Sequence, residues 1–188
     1  GLQAVSAAQK ATATIPIVMT NAPDPVGSGF VKTLARPGGN ITGLSSVTVD
    51  IGPKHLEMLQ SMVAKLSRVV VLTNPGNSAN ATSLKNVQGA ARKTGVTILP
   101  LEARTPQEIE HAFSMTAQKK AGAVIVVTDS FFTQQGRQIA ELAVKHRLPS
   151  ISASREYADG GGLMSYGPNV AAAFQRAATY VDKILKGA

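Results

Sequence analysis

The sequence predicts a doubly wound α/β fold built on a parallel sheet, and three observations predict it. Several short runs are apolar at every position, among them Val69-Val70-Val71-Leu72 and Ala123-Val124-Ile125-Val126-Val127. A strand apolar on both faces is one that helices cover from both sides. Longer amphipathic stretches separate these runs. The runs beginning at Val69, Val96, Ala123 and Ser150 recur every 27 residues, enough for a strand, a turn, a four-turn helix and a return. The units share no consensus, which argues against a solenoid.

Taken in order, the first strand is Ile15-Pro16-Ile17-Val18-Met19. Pro37-Gly38-Gly39-Asn40 reads as a tight turn, Ile41-Thr42-Gly43-Leu44 as a short strand, and the polar Ser45-Ser46-Val47-Thr48 as a crossing segment. A helix follows Pro53, with Leu56, Leu59, Val63 and Leu66 on its apolar face. After the strand at Val69, a helix runs from Ser78 to Thr94 and stops at Gly95. The strand Val96–Leu99 leads to Thr105-Pro106-Gln107-Glu108, a capping box with proline at the first helical position. The helix it opens buries Ile109, Ala112, Phe113 and Thr116. The next helix spans Phe132 to His146 around Ile139, Leu142 and Ala143, and Ser150-Ile151-Ser152 is a weaker strand. Gly160–Gly167 is glycine-rich. The last helix starts at Pro168 and carries Phe174, Ala177, Ala178, Val181, Ile184 and Leu185 on one stripe. The two glycine-rich segments bracketing the α/β core read either as hinges to a second lobe or as ordinary loops.

The chain has 188 residues, 44% of them hydrophobic and 16% charged. That is a globular composition, long enough for a core without staples. No run reaches the ~18 consecutive apolar residues of a membrane span. Cysteine is absent, which excludes disulfides and thiolate chemistry. The net charge is +8, but only Arg92-Lys93 and Lys119-Lys120 are adjacent basic pairs. That scatter argues for a solvated basic surface over a nucleic-acid footprint, although the field can steer an anionic partner or a membrane surface. The N-terminus has neither the charged start nor the apolar core of a signal peptide.

Catalytic motifs are missing. There is no phosphate-binding G-x-x-x-x-G-K-[ST] loop, no G-x-S-x-G elbow, and Gly27-Ser28-Gly29 lacks the third glycine of a dinucleotide fingerprint. His55, His111 and His146 read as polar or boundary positions of three predicted helices, without partners at metal-ligand spacing. The reading is therefore no enzyme, no metal and no cofactor. Short polar residues do follow the strands: Asn21, Asp24 and Pro25; Thr73 to Ser78; Thr128-Asp129-Ser130; and Ser152-Ala153-Ser154-Arg155-Glu156. Open α/β sheets bind ligands at that edge. Singly, Asn77, Ser130 and Ser154 serve equally as helix N-caps; together, the groups describe a small-molecule cleft. Asp129 as a phosphoacceptor would need an acidic pair for Mg²⁺ near the first strand, which the sequence does not supply.

One stretch is more specific. Asp24-Pro25-Val26-Gly27-Ser28-Gly29-Phe30-Val31, followed by Leu34-Ala35-Arg36-Pro37-Gly38-Gly39-Asn40-Ile41-Thr42-Gly43, resembles a signature of the solute-binding proteins of ABC transporters, tryptophan- and tyrosine-type. Asn74-Pro75, Thr128-Asp129-Ser130, Gly162–Gly167 and Ile184–Ala188 extend the resemblance over the whole chain.

The resemblance implies a type I periplasmic-binding fold: one nearly complete lobe plus a partial second lobe, with the ligand between lobes. Residues 1–44 would be a partial lobe 1, to which 165–188 return, and residues 45–164 would be lobe 2. Family members are longer, so the expectation is a chain that begins partway through lobe 1 and stops before its tail. Such a remnant would expose apolar faces and is expected to associate with another copy as a homodimer. The implied function is extracytoplasmic or periplasmic: binding a small solute, an amino acid and in particular an aromatic one, and delivering it to a membrane permease. Asp129 is the implied receptor for the ammonium group, with Ser130, Thr133 and Asn74 as further polar contacts. Asp24 and Pro25 would face the ligand from lobe 1, and Tyr166 and Gly167 would lie at the hinge. Arg155 reads either as a carboxylate partner or as an ion pair with Glu156. One of Phe131 and Phe132 would line the cleft, or both pack in the core. The alternative is a ligand-sensing domain of a regulator or receptor with the same fold.

Overall fold

The computed structural model describes residues 2–46 and 51–187. The crossing segment expected over Ser45–Thr48 therefore extends, past Ser46, outside the described residues. The chain divides into two compact units, residues 1–47 with 169–188 and residues 48–168.

Unit 1 contains helix α1 (Leu2–Ala11), strands β1 (Ile17–Pro23) and β2 (Ile41–Ser46), and helix α8 (Val170–Leu185). The strands pair in parallel, Ile17 opposite Ile41 and Met19 opposite Gly43. Gly43 is obligatory: its φ is 129°, and a Cβ there would fall 2.1 Å from the Met19 carbonyl oxygen. The small core is Met19, Ala22, Val31 and Ile41, with Val5, Ile17 and Phe30 against it. Asn169 caps α8 by accepting from the Ala172 N–H at 2.9 Å. The expected buried stripe of α8 is not realised. Ala177 is buried, whereas Phe174, Ala178, Val181 and Leu185 are exposed. Within unit 1, α8 packs on β1 and β2, and two strands offer too narrow a face to cover a sixteen-residue helix. Helix α1, an alanine-rich stretch of high helical propensity, was not anticipated.

Unit 2 is the α/β core. Its elements are α2 (Gly52–Met62), β3 (Arg68–Thr73), α3 (Ser78–Thr94), β4 (Thr97–Glu102), α4 (Pro106–Gln118), β5 (Ala123–Val126), α5 (Ser130–Gln134), α6 (Gly136–Lys145), β6 (Ser150–Ser152), α7 (Arg155–Asp159) and β7 (Met164–Ser165). All five strands are parallel, in the order β4-β3-β5-β6-β7. The chain leaves β3 toward β4 and then crosses back over β3 to β5. Right-handed crossovers therefore put α3 on one face and α4, α6 and α7 on the other. The packing agrees, α2 against α3, and α6 against both α4 and α7.

Local chemistry explains most boundaries. Asn77 accepts from the Ala79 N–H and opens α3, which ends at Gly95 with φ 73°. The Thr105 hydroxyl accepts from the Glu108 N–H at 3.2 Å, and Glu108 reaches back to the Arg104 N–H. Ile109, Ala112, Phe113 and Thr116 are buried as their spacing predicts. Three details differ from the sequence reading. Strand β4 lies at the sheet edge and carries Pro100, which an edge strand tolerates. The helix expected over Phe132–His146 is two, α5 and α6, parted at Gln135 where Gly136 lies against the Tyr157 backbone. His55 is no solvated or boundary histidine; it is buried.

Candidate functional site

In a doubly wound sheet, the loops that follow the two strands at which the winding reverses leave toward opposite faces, and a crevice lies between them outside the carboxyl ends of the strands. Here those strands are β3 and β5. Asn74 follows the first, and Thr128 and Asp129 follow the second. Their side chains meet. Asp129 Oδ1 accepts from Asn74 Nδ2 at 3.2 Å and from the Phe131 backbone N–H at 2.8 Å, and Oδ2 accepts from Asn77 Nδ2 at 2.8 Å. Asp129 thus caps α5 and bridges to the loop after β3.

Asn80 braces the same crevice from α3. Its Oδ1 accepts from the Asn74 N–H at 2.8 Å, and its Nδ2 donates to the Thr128 carbonyl at 3.1 Å. The Asn74 Oδ1 accepts from the Gly76 N–H, which closes its loop. Every donor that reaches the Asp129 carboxylate is a neutral N–H. The group is 5% exposed, and among the described residues no Lys, Arg or His pairs with it. A carboxylate has room for about four hydrogen bonds, so one lone pair of Oδ2 is still open. The hydroxyl of the preceding residue, Thr128, is buried without a partner among the described residues.

The other predicted residues divide. Thr133 donates its hydroxyl to the Asp129 carbonyl at 3.0 Å, and Ser130 stands exposed at the first position of α5. Arg155 is not paired with Glu156. Its Nε lies 3.6 Å from Asp159 Oδ2, one helical turn on, because i and i+4 share a helix face and i and i+1 do not. The Ser154 hydroxyl instead donates to Glu156, and that bond holds the Glu156 carboxyl below its usual range. Phe132 is core and Phe131 packs half-buried against it. Asp24 and Pro25 belong to unit 1. Asp24 has φ 45° and its Oδ1 accepts from the Gly27 N–H, while Pro25 is buried and its carbonyl accepts from the Phe30 N–H.

Tyr166 and Gly167 follow β7. The Tyr166 N–H donates to Ser152 O at 3.0 Å, and its carbonyl lies 2.7 Å from His55 Nε2, so the neutral imidazole donates there. Burial pushes the His55 pKa down. A Cβ on Gly167 would fall 2.1 Å from the Ala153 carbonyl oxygen. Sequence reasoning missed Asn77 as a ligand of Asp129, Asn80 and His55. The signal available for the asparagines was their concentration, Asn74, Asn77 and Asn80, over seven residues after one strand.

Among the described residues no group of His, Asp or Glu is placed to hold a metal ion. Two hollows, of about 200 and 300 Å³, lie elsewhere, the first beside α1 and β1 and the second between α6, β6 and the glycine-rich loop.

A family model described as ABC transporter substrate binding protein matches residues 2–188. A tyrosine-binding protein of Clostridioides difficile (strain R20291) is 26% identical over 182 residues, which are 96% of this chain and 52% of the relative. A conserved domain protein from Vibrio cholerae has a solved structure that superposes with a TM-score of 0.87 at 29% identity, over 100% of this chain and 62% of that one. The ABC domain from Streptococcus pneumonia in complex with L-Trp gives the same TM-score and coverage at 21% identity, a likeness of fold. The chain therefore spans about half the length of the curated relative it matches.

Proposed function

Because the chain belongs to the ABC transporter substrate-binding protein family, we propose that it forms part of an extracytoplasmic receptor that binds an amino acid, aromatic in type, and delivers it to a membrane permease. The observation that carries this reading is the buried Asp129 carboxylate, which has three neutral donors and, among the described residues, no cation paired with it. An uncompensated buried charge is costly. A ligand ammonium on the open lone pair of Oδ2 would supply the missing positive charge through a short, charge-assisted bond. Asn74 and Asn77 each keep one amide N–H free of the bonds described above and can donate to ligand oxygens. The work is binding, with no covalent step. The tyrosine-binding relative and the L-Trp complex support the choice of probes.

The test is calorimetry with L-tyrosine and L-tryptophan, and with their analogues lacking the amino group. Loss of the ammonium is expected to weaken binding by well over tenfold in the parent protein, since a hydrogen bond to a charged group contributes about 1.5–3 kcal/mol. In Asp129→Asn the same comparison should show almost no difference. Equal affinity of parent and variant for the intact amino acid would refute the ammonium role.

A further inference from the structure

Eight of the thirteen basic residues of unit 2, which look scattered in the sequence, are collected by the fold onto one edge. All five strands are parallel, so every helix-to-strand return lies at the amino-terminal edge of the sheet. Lys65 and Arg68 flank the return into β3, and Arg92 and Lys93 close α3 before β4. Lys119 and Lys120 fill the return into β5, and Lys145 and Arg147 that into β6. All but Lys119 are exposed, and none of the eight is in an ion pair among the described residues. Arg68 Nη1 does donate to the Lys119 carbonyl at 3.1 Å. Among the described residues these four returns hold no acidic residue, and Asp159, at the end of α7 before β7, is already paired with Arg155. At the opposite edge the signs are mixed, with Glu102, Glu108, Asp129 and Glu156 beside Lys54, Arg104, Arg137 and Arg155.

Helix dipoles favour cations at helix C-termini, and that accounts for Arg92, Lys93 and Lys145. It does not account for Arg68, which begins a strand. Lys65, Lys120 and Arg147 have φ values of 56°, 52° and 54°, which put long cationic side chains where glycine fits without strain. Apolar side chains are interleaved with them. Met62, Val144 and Leu163, three large exposed hydrophobic residues of unit 2, all lie at this edge, at the end of α2, at the end of α6 and before β7. Val144, Arg147, Leu148, Pro149 and Leu163 help line the hollow of about 300 Å³.

We propose that the amino-terminal edge of the unit 2 sheet docks on the surface of an anionic lipid bilayer. The cations sit one pair per return on four adjacent strands, a row of roughly 15 Å broadened by helices on both faces. That spread suits a charged plane, whereas a carboxylate-bearing peptide calls for converging donors in one groove. Within one or two Debye lengths the eight charges act as a single field, and exposed aliphatic side chains among them match the interfacial pattern of basic and apolar residues. This inference does not depend on the identity of the solute.

Co-sedimentation with vesicles containing about a third phosphatidylglycerol, against pure phosphatidylcholine, tests it. Each Lys or Arg near an anionic surface is worth about fivefold in partitioning. Replacing Lys93, Lys120, Lys145 and Arg147 by Gln is therefore expected to lower binding at least tenfold, a discount from roughly 600-fold for screening and incomplete approach. Replacing Lys54, Lys85, Arg104 and Arg137 by Gln, all in unit 2 and away from this edge, should change it by less than about twofold. Because the chain has no cysteine, Val144→Cys carrying an environment-sensitive dye reports contact without any charge removal. Its emission should shift to the blue on anionic vesicles, while the dye on Gln107→Cys, at the opposite edge, should not shift. Absence of parent binding to anionic vesicles, equal losses in the two Gln sets, or tighter binding to soluble polyglutamate than to vesicles would each overturn the proposal.

Discussion

Asn80 is the residue whose removal the structure expects to be most informative about the crevice. It is 2% exposed on α3 and makes two bonds with one amide, accepting from the Asn74 N–H and donating to the Thr128 carbonyl. Those partners end adjacent strands, so Asn80 sets the distance between the loop that carries Asn74 and Asn77 and the strand that presents Asp129. Asn80→Ala deletes both bonds and leaves one N–H and one C=O unpaired. Each orphaned group costs about 1–3 kcal/mol when fully buried. Asn74 is half-buried and water can reach part of that loop, so the total is about 3 kcal/mol. For a unit of this size that lowers the melting temperature by roughly 10 °C. Urea unfolding followed by circular dichroism reads the change, with the slope expected to stay constant. Ligand affinity should fall with it, because Asn74 and Asp129 lose their common brace. A destabilisation under about 1 kcal/mol would mean that water replaces the amide at little cost, and the crevice would not depend on Asn80 for its shape.

His55 gives stability a pH dependence of known sign. Burial lowers its pKa in the fold, whereas the unfolded chain takes up a proton near the ordinary value of 6.5. Below that value the unfolded state binds more protons, so stability is full above about pH 7 and is lost as the pH falls through 6.5 toward the folded pKa. His55→Asn should flatten the pH 7.5–5.5 segment of a stability profile, and an unchanged slope would show that other groups titrate there. The exposed stripe of α8, Val170, Phe174, Val181 and Leu185, should drive the 188-residue chain to associate at micromolar concentration. Light scattering should show that association, weakened in Phe174→Ser/Leu185→Ser; a monomer with the stripe intact would contradict it.

What the sequence makes legible is whatever repeats locally. The apolar runs at Val69 and Ala123 become buried central strands, and Thr105-Pro106-Gln107-Glu108 starts a helix because all of its partners lie within four residues. Polar strand ends are legible as a class, since the carboxyl edge of a parallel sheet is where such residues collect. What is not legible is which of them meet. Asn74 and Asp129 are 55 residues apart and bonded, while Arg155 and Glu156 are adjacent and not paired. His55 looked like a boundary residue because its partner, the Tyr166 carbonyl, is 111 residues away. Burial on α8 was overestimated for a related reason. A stripe shows that a helix has an apolar face, but not how wide a sheet lies beneath it.

The charged edge is the instructive case, because it could have been found in the sequence. Lys65, Arg92 and Lys119 are 27 residues apart, and so are Lys93, Lys120 and Arg147, the same period as the strands. A period that places each strand beside the last also places equivalent residues of each return on one edge. Two interleaved basic series at that period are therefore one surface and not a scatter. Reading charge by adjacency along the chain finds only Arg92-Lys93 and Lys119-Lys120; reading it at the period of the fold finds the edge. In parallel α/β sheets generally, charges one strand period apart are spatial neighbours, so their summed field belongs to the edge on which they fall.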